Sequence, residues 1–338
     1  MNTREAIEKL VNRVNLSEDE TINIMNEIMT GEATPLQVAA FLTALRMKGE
    51  TVDEITGAAR VMRDKAQRVS VRSKPVLDTC GTGGDQKGTF NISTTCAFVV
   101  AGAGVCVAKH GNRSVSSQSG SADVLGVLGV RVDAPKERVE ACIDKLGIGF
   151  LFAPLLHEAM KYAVQPRRDI GIRTIFNLLG PLTNPAVATH QLLGLYSGEL
   201  VGTIAHVLKN LGSARAMVVH GLEGLDEISL CGPTKVAELR DGQVKEYVID
   251  PEAVGLTRCR LEDLRGGNAE ESAAVVRSVL GGKKGAARDV VLLNSGAALY
   301  VSGSAESIGE GMRLAAESID SGKARQKLEG LAQMTTAA

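Results

Sequence analysis

Residues 75–111 read PVLDTCGTGGDQKGTFNISTTCAFVVAGAGVCVAKHG. The apolar run PVLDTC breaks into a glycine loop, STTCAFVVAGAG has the composition of a helix, and GVCVA is a second short apolar run that ends at Lys109. Strand, loop, helix and strand in that order make a βαβ unit, in which a helical crossover joins two parallel strands. The alternation recurs in HQLLGLY, the helix-like ELVGTIAHVLKNLG and ARAMVVHG. An α/β domain follows, with a mainly parallel central sheet and helices on both faces. In KVAELRDGQVKEYVID the Asp241-Gly242 pair lies between alternating runs and predicts a β-hairpin, read as an antiparallel appendage. From SGAALYV onward the chain reads as helical.

Upstream of this region the period is that of helices. Ile7, Leu10, Val11 and Val14 recur at i, i+3, i+4 and i+7, and Val38, Phe41, Leu42 and Leu45 repeat the spacing. Ser17 with Glu20, Thr34 with Gln37 behind Pro35, and Thr51 with Glu54 have the spacing of capping boxes, and Gly31 and Gly49 supply stops. The expectation is a small all-helical N-terminal domain of four short helices over 1–72, with the α/β domain over 73–338.

Charge and cysteine usage bound the function. Among 338 residues, 38 Lys and Arg face 39 Asp and Glu for a formal net charge of −1, so no global field recruits nucleic acid or an anionic membrane. The six cysteines form no metal-type CxxC pair and several sit in apolar runs, which reads as reduced thiols in a cytoplasmic protein. No uninterrupted apolar run reaches the roughly eighteen residues of a membrane span.

In an open α/β sheet, ligands bind beyond the carboxyl ends of the strands. Two polar segments fall at such ends: GTGGD after VLDTC, and KHGN after GVCVA. Gly81, Gly83 and Gly84 let backbone N–H groups approach an anion, and a helix starting near Asn91 to Thr94 directs its positive end to the same place. Lys109 adds a charge, and Thr89, Ser93, Thr94, Ser114, Ser116 and Ser117 add hydroxyls. One glycine cluster is usually a tight turn and one serine-rich stretch a solvated loop. Two in one sheet point to a phosphate cradle. It is neither a dinucleotide fingerprint nor a Walker loop, because the third glycine of GxGxxG is missing and no GxxxxGK[ST] occurs. Asp226 and Glu227 follow the run AMVVHG; alone they read as surface charge, but beside a phosphorylated ligand they suit Mg²⁺, which binds one or two carboxylates plus phosphate oxygens. Asp85 in the cradle would repel phosphate unless it meets a hydroxyl, a helix end or a metal. Arg167 could pair with a substrate carboxylate, or be an exposed helix-end cation; His157, His190 and His206 read as structural.

DTCGTGGD, TFNIST, KHGNRSVSSQSGSADVL, RDIGIRTIFNLLGPLTNP and HGLEGLDEIS, in this order, closely resemble the anthranilate phosphoribosyltransferase family. The resemblance implies a homodimer through the helical domain, which a helical segment near 160–180 completes, and a hinge to the α/β domain. It implies a pentosyltransferase of tryptophan biosynthesis that joins anthranilate to 5-phosphoribosyl 1-pyrophosphate with Mg²⁺. By motif, the sugar donor falls to Gly81, Gly84, Asp85, Thr89, Asn91, Ile92, Ser93, Thr94, Lys109, His110, Gly111, Asn112, Arg113, Ser114, Val115, Ser116, Ser117 and Ser121. Anthranilate falls to Gly81, His110, Asn112 and Arg167, and Mg²⁺ to Ser93, Asp226 and Glu227, with no dedicated acid or base. Two rivals remain at this level. A pyrimidine nucleoside phosphorylase would share the architecture but expects KHSTGG where KHGNRS stands, and a non-catalytic nucleic-acid-binding relative would expect a degraded GTGGD and a basic surface.

Overall fold

The computed structural model describes residues 1–114 and 119–337. The chain opens with α1 Thr3–Val11, α2 Glu18–Thr30, α3 Pro35–Lys48 and α4 Val52–Lys65. The three expected capping boxes start α2, α3 and α4, and Asn2 with Glu5 adds one at α1. Gly31, at φ 82°, ends α2 in the left-handed conformation. Pairing of α1 with α3 and of α2 with α4 buries Leu10, Ile24, Phe41, Leu42 and Ile55, each worth about 1.5–3 kcal/mol of transfer free energy. The stripe read through Val14 is shorter than expected. Arg13 turns left-handed at φ 58°, the Val14 amide bonds back to the Lys9 carbonyl at 2.9 Å, and Val11 and Val14 are left 68% and 47% exposed.

The sheet is laid down by β1 Val76–Gly81, α5 Ile92–Gly102, β2 Cys106–Gly111, α6 Ser121–Val127, α7 Lys136–Leu146 and β3 Ile148–Phe152. A return segment follows, with α8 Ala153–Leu156, α9 Lys161–Ile170 and α10 Phe176–Leu182. It crosses to the bundle, where α9 packs on α3 and α2 and α10 packs on α4. The chain then adds β4 His190–Gly194, α11 Val201–Asn210, β5 Arg215–Gly221, β6 Thr234–Arg240 and β7 Gln243–Ile249. It finishes with α12 Ala269–Leu280, α13 Ala286–Ser302, α14 Ile308–Asp320 and α15 Lys323–Thr336.

Strand order is β3-β2-β1-β4-β5-β6-β7, parallel through β5 and antiparallel at β6 and β7. The DG hairpin forms as expected, with Asp241 and Gly242 at φ 51° and 71°. It is no separate appendage: β6 pairs along β5 and extends the same sheet to its edge. Alternate side chains serve opposite faces, Leu77 and Val107 meeting Phe98 and Val291 on one side, Ala108 meeting Ile143 and Val218 meeting Ile204 on the other. Helices thus cover both faces. Strands β1–β3 build outward and the return segment delivers β4 to the other side of β1, so the order reverses between β1 and β4. That is the switch point at which α/β sheets open a ligand crevice. Among the described residues, no helix is long and apolar enough to cross a membrane.

Candidate active site at the switch point

The carboxyl end of β1 runs into a loop fastened first to β4, where the Thr82 amide donates to the Gly194 carbonyl at 2.9 Å. Gly83, Gly84, Gln86 and Gly88 then take φ between 59° and 74°, a run of left-handed turns that glycine makes cheap. Thr89 forms an antiparallel bridge with Arg265 and brings the chain to α5. The N-cap Asn91 does not cap its own helix; its side-chain oxygen accepts from Ser272 Oγ at 2.8 Å and Ser119 Oγ at 3.4 Å. Ile92 is 1% exposed and its amide donates to the Phe90 carbonyl at 2.7 Å, while Thr94 Oγ1 is buried without a partner.

Lys109 comes up on β2, buried, and its ammonium donates to the Thr79 carbonyl and, at 3.4 Å, to Ser93 Oγ. The next residue, His110, is fixed twice: its amide donates to Asp78 at 3.1 Å and its ring Nδ1 lies 3.1 Å from the Gly180 carbonyl. A carbonyl only accepts, so Nδ1 carries the hydrogen and Nε2 holds a buried, unpartnered lone pair. Burial first, and then the His157 ring 5.2 Å away, push the His110 pKa down to about 3, and burial takes His157 to about 4. Both rings are neutral at pH 7.

Beyond β2 the backbone is tightly closed. A β-carbon at Gly111 would lie 2.3 Å from Ser121 Oγ, and that hydroxyl donates to the Asn112 carbonyl at 3.2 Å. Asp123 accepts the amides of Ser114 and Gly120 at 3.1 and 2.9 Å and pairs with Arg113 at 3.1 Å, drawing together the two ends of the serine-rich loop. Val115, Ser116 and Ser117 lie outside the described residues.

Asp226 and Glu227 reach this crevice from the end of β5. Asp226 Oδ2 accepts the Gly83 amide at 2.8 Å, and Glu227 Oε1 accepts the Ser93 amide at 3.0 Å. The adjacent acids therefore grip the two halves of the cradle, the glycine loop and the start of α5. Burial, then repulsion from Asp85, raises the Asp226 pKa; burial, then Asp226, raises that of Glu227 against the pull of Lys109. Asp85 itself has one buried oxygen without a partner. This is a concentration of negative charge that a divalent cation would relieve. Among the described residues no group of three or more His, Cys, Asp and Glu side chains is arranged to hold a metal alone. The donor set therefore fits an ion that takes further oxygens from a phosphorylated ligand.

Arg167 and Arg168 lie in the last turn of α9, and their directions differ: Arg168 is exposed, whereas Arg167 is half-buried with its guanidinium 5.1 Å from the Phe176 ring. Burial lowers the pKa of Arg167, which has no hydrogen-bond or carboxylate partner among the described residues. Phe176 and Gly180 both belong to α10, so one short helix carries the ring under Arg167 and the carbonyl that holds His110. Sequence reasoning took His157 as structural and passed over Asp123, Arg173 and Asn294. Arg173 Nη2 donates to the Gly84 carbonyl. Asn294, fully buried on α13, accepts from the Ile228 amide at 2.9 Å and donates to the Ile228 carbonyl at 2.8 Å, pinning the backbone just after the acids. Asp123 lies within the motif KHGNRSVSSQSGSADVL and Arg173 within RDIGIRTIFNLLGPLTNP, whereas His157 and Asn294 fall in neither.

The helical bundle domain of a glycosyl transferase family matches residues 4–66 and the a/b domain of a glycosyl transferase family matches residues 73–325. Anthranilate phosphoribosyltransferase of Geotalea uraniireducens is 56% identical over 98% of this chain and 99% of its own. The chain belongs to the anthranilate phosphoribosyltransferase family. The family member from Moorella thermoacetica is 57% identical, with 96% of each chain covered. Among solved anthranilate phosphoribosyltransferases, that of Thermus thermophilus superposes with a TM-score of 0.93 at 46% identity, covering 98% of this chain and 99% of the other. The Saccharomyces cerevisiae enzyme, solved in complex with PRPP and Mg, gives a TM-score of 0.90 at 29% identity, covering 99% and 98%.

Proposed function

We propose that the protein transfers the 5-phosphoribosyl group of 5-phosphoribosyl 1-pyrophosphate to the amine of anthranilate, yielding N-(5-phosphoribosyl)anthranilate and pyrophosphate. The observation that carries this reading is the grip of Asp226 on the Gly83 amide and of Glu227 on the Ser93 amide, which builds an anion cradle and an acidic pair into one crevice. Its sequence relatives bear the same activity in their names.

In this reading the glycine loop, Asn91 through Thr94, and Lys109 through Ser117 with Ser121 hold the sugar donor. Ser93, Asp226 and Glu227 would hold Mg²⁺, which when bound neutralises negative charge on the pyrophosphate. Arg167, half-buried and without a carboxylate partner among the described residues, receives the carboxylate of anthranilate, with Gly81, His110 and Asn112 beside it. The amine lone pair forms the new C–N bond at C1 of the ribose while the C–O bond to pyrophosphate breaks on the opposite face. Once bonded, an aniline nitrogen loses its proton readily, so neutral His110 need only orient the acceptor. Catalysis is positioning plus fixed charge.

The working form is a cytoplasmic homodimer. Exposed Leu36 and Met47 on α3, with Val11 at the end of α1 and Val14 just beyond it, give the bundle an apolar face suited to a second copy of the chain. The reaction is tested by following pyrophosphate release and anthranilate consumption together. The reading requires them in a one-to-one ratio; pyrophosphate release without anthranilate consumption would contradict it.

A further inference from the structure

The loop bearing Gly83 and Gly84 has no secondary structure of its own, and Gly83, Gly84 and Gln86 stand at φ 64°, 74° and 59°. Glycines in this region leave their peptides little intrinsic preference for one orientation. Some contact must therefore decide which way the Gly84–Asp85 peptide faces. In a trans peptide the carbonyl and the following N–H point in opposite directions, so whatever holds the Gly84 oxygen also aims the Asp85 amide. Arg173 Nη2 donates to that oxygen.

Arg173 makes no ion pair with a carboxylate among the described residues. Its guanidinium lies on the Tyr196 ring, 4.2 Å from the centroid, and the Tyr196 amide donates to Thr82 Oγ1 at 3.1 Å, back at the start of the same loop. Strand β4 thus secures the beginning of the loop, and Arg173, steadied by Tyr196, secures its middle. Arg173 follows directly on α9, which ends at Ile170 and carries Arg167. One short segment bears both the cation that awaits the acceptor and the contact that shapes the donor loop.

We propose that Arg173 is a positioning residue for the sugar donor: it keeps the Gly84 carbonyl turned to the linker, leaves backbone donors facing the phosphates, and ties that arrangement to the segment carrying Arg167. The proposal rests on the phosphoribosyl reading above. Arginine suits the task because its planar fork can stack and donate at once.

The test is steady-state kinetics on the full chain with each substrate varied in turn. Arg173→Ala should raise the donor KM about tenfold or more, with the anthranilate KM within about twofold and the melting temperature nearly unchanged. Tyr196→Leu should act in the same direction but less, and the double variant should match Arg173→Ala alone, because both residues act through one contact. Arg168→Ala, an exposed cation in the last turn of α9, should leave both constants alone. An unchanged donor KM, equal rises in both constants, or a full Tyr196→Leu effect added to that of Arg173→Ala would each overturn the assignment. Calorimetric titration with inorganic pyrophosphate and Mg²⁺ makes the comparison without anthranilate. If the natural protein binds pyrophosphate but transfers nothing, the functional reading fails, while weaker pyrophosphate binding in Arg173→Ala still supports the positioning role and equal binding overturns it.

Discussion

The carboxylate of Asp226 fills the space that a side chain at Gly81 would need. A β-carbon on Gly81 would lie 2.6 Å from Asp226 Oδ2, the same oxygen that accepts the Gly83 amide at 2.8 Å. The glycine that ends β1 is therefore required by the acid that follows β5. Gly81→Ala is expected to fold, because the end of an Asp side chain can shift, but to displace that acid. The Mg²⁺ concentration for half-maximal activity should rise about tenfold or more, on the scale of one lost charged hydrogen bond. Metal titration at fixed donor concentration measures it, and an unmoved midpoint would separate Asp226 from the metal.

Neutralising the acids should have opposite effects on stability and binding. Both folded-state pKa values are raised, by burial first and then by neighbouring carboxylates. Without metal, the fold therefore retains protons that the unfolded chain has lost, and stability falls as pH rises from the ordinary carboxylate range, about 4, toward the raised values. Asp226→Asn and Glu227→Gln should flatten that decline in chelator while weakening Mg²⁺ binding in the presence of donor. Melting curves against pH, with and without Mg²⁺, check both; a variant that keeps the natural slope and metal affinity would mark its acid as uninvolved.

These relationships also mark how far the sequence could be read. The βαβ unit of 75–111 and the capping boxes were legible because their signals are local: glycine in a turn, a hydroxyl three residues before Glu or Gln. The acids looked like surface charge because their partners, Gly83 and Ser93, are 143 and 134 residues away in the chain. His157 read as structural for a similar reason, since its apolar context told of burial but not of the His110 ring beside it. The α1 stripe failed at Val14 because periodicity does not register a left-handed Arg13. The hairpin read as an appendage because turn chemistry fixes the loop and not the strand beside it.

The two buried histidines give a second pH signature, of the other sign. With pKa values of about 3 for His110 and about 4 for His157, both stay neutral in the fold while an unfolded imidazole gains a proton below about 6.5. Their contribution to stability is lost as pH falls from about 6.5 toward those folded values. Imidazole resonances of both residues should remain those of the neutral ring at pH 5, and a mid-point near 6.5 for either would contradict the buried pair.

Arg167→Ala should raise the anthranilate KM by about ten- to a hundredfold and the donor KM far less, because a charge-assisted pair is worth about 1.5–3 kcal/mol. Arg168→Ala is the control. Equal effects on both substrates would remove Arg167 from the acceptor site.

The central claim is that one crevice joins a phosphoribosyl donor to anthranilate, and loss of anthranilate fluorescence tests it most directly. Purified protein, anthranilate, 5-phosphoribosyl 1-pyrophosphate and Mg²⁺ are mixed, with donor-free and metal-free controls. The account predicts loss that needs both donor and metal; fluorescence that persists with everything present would contradict it.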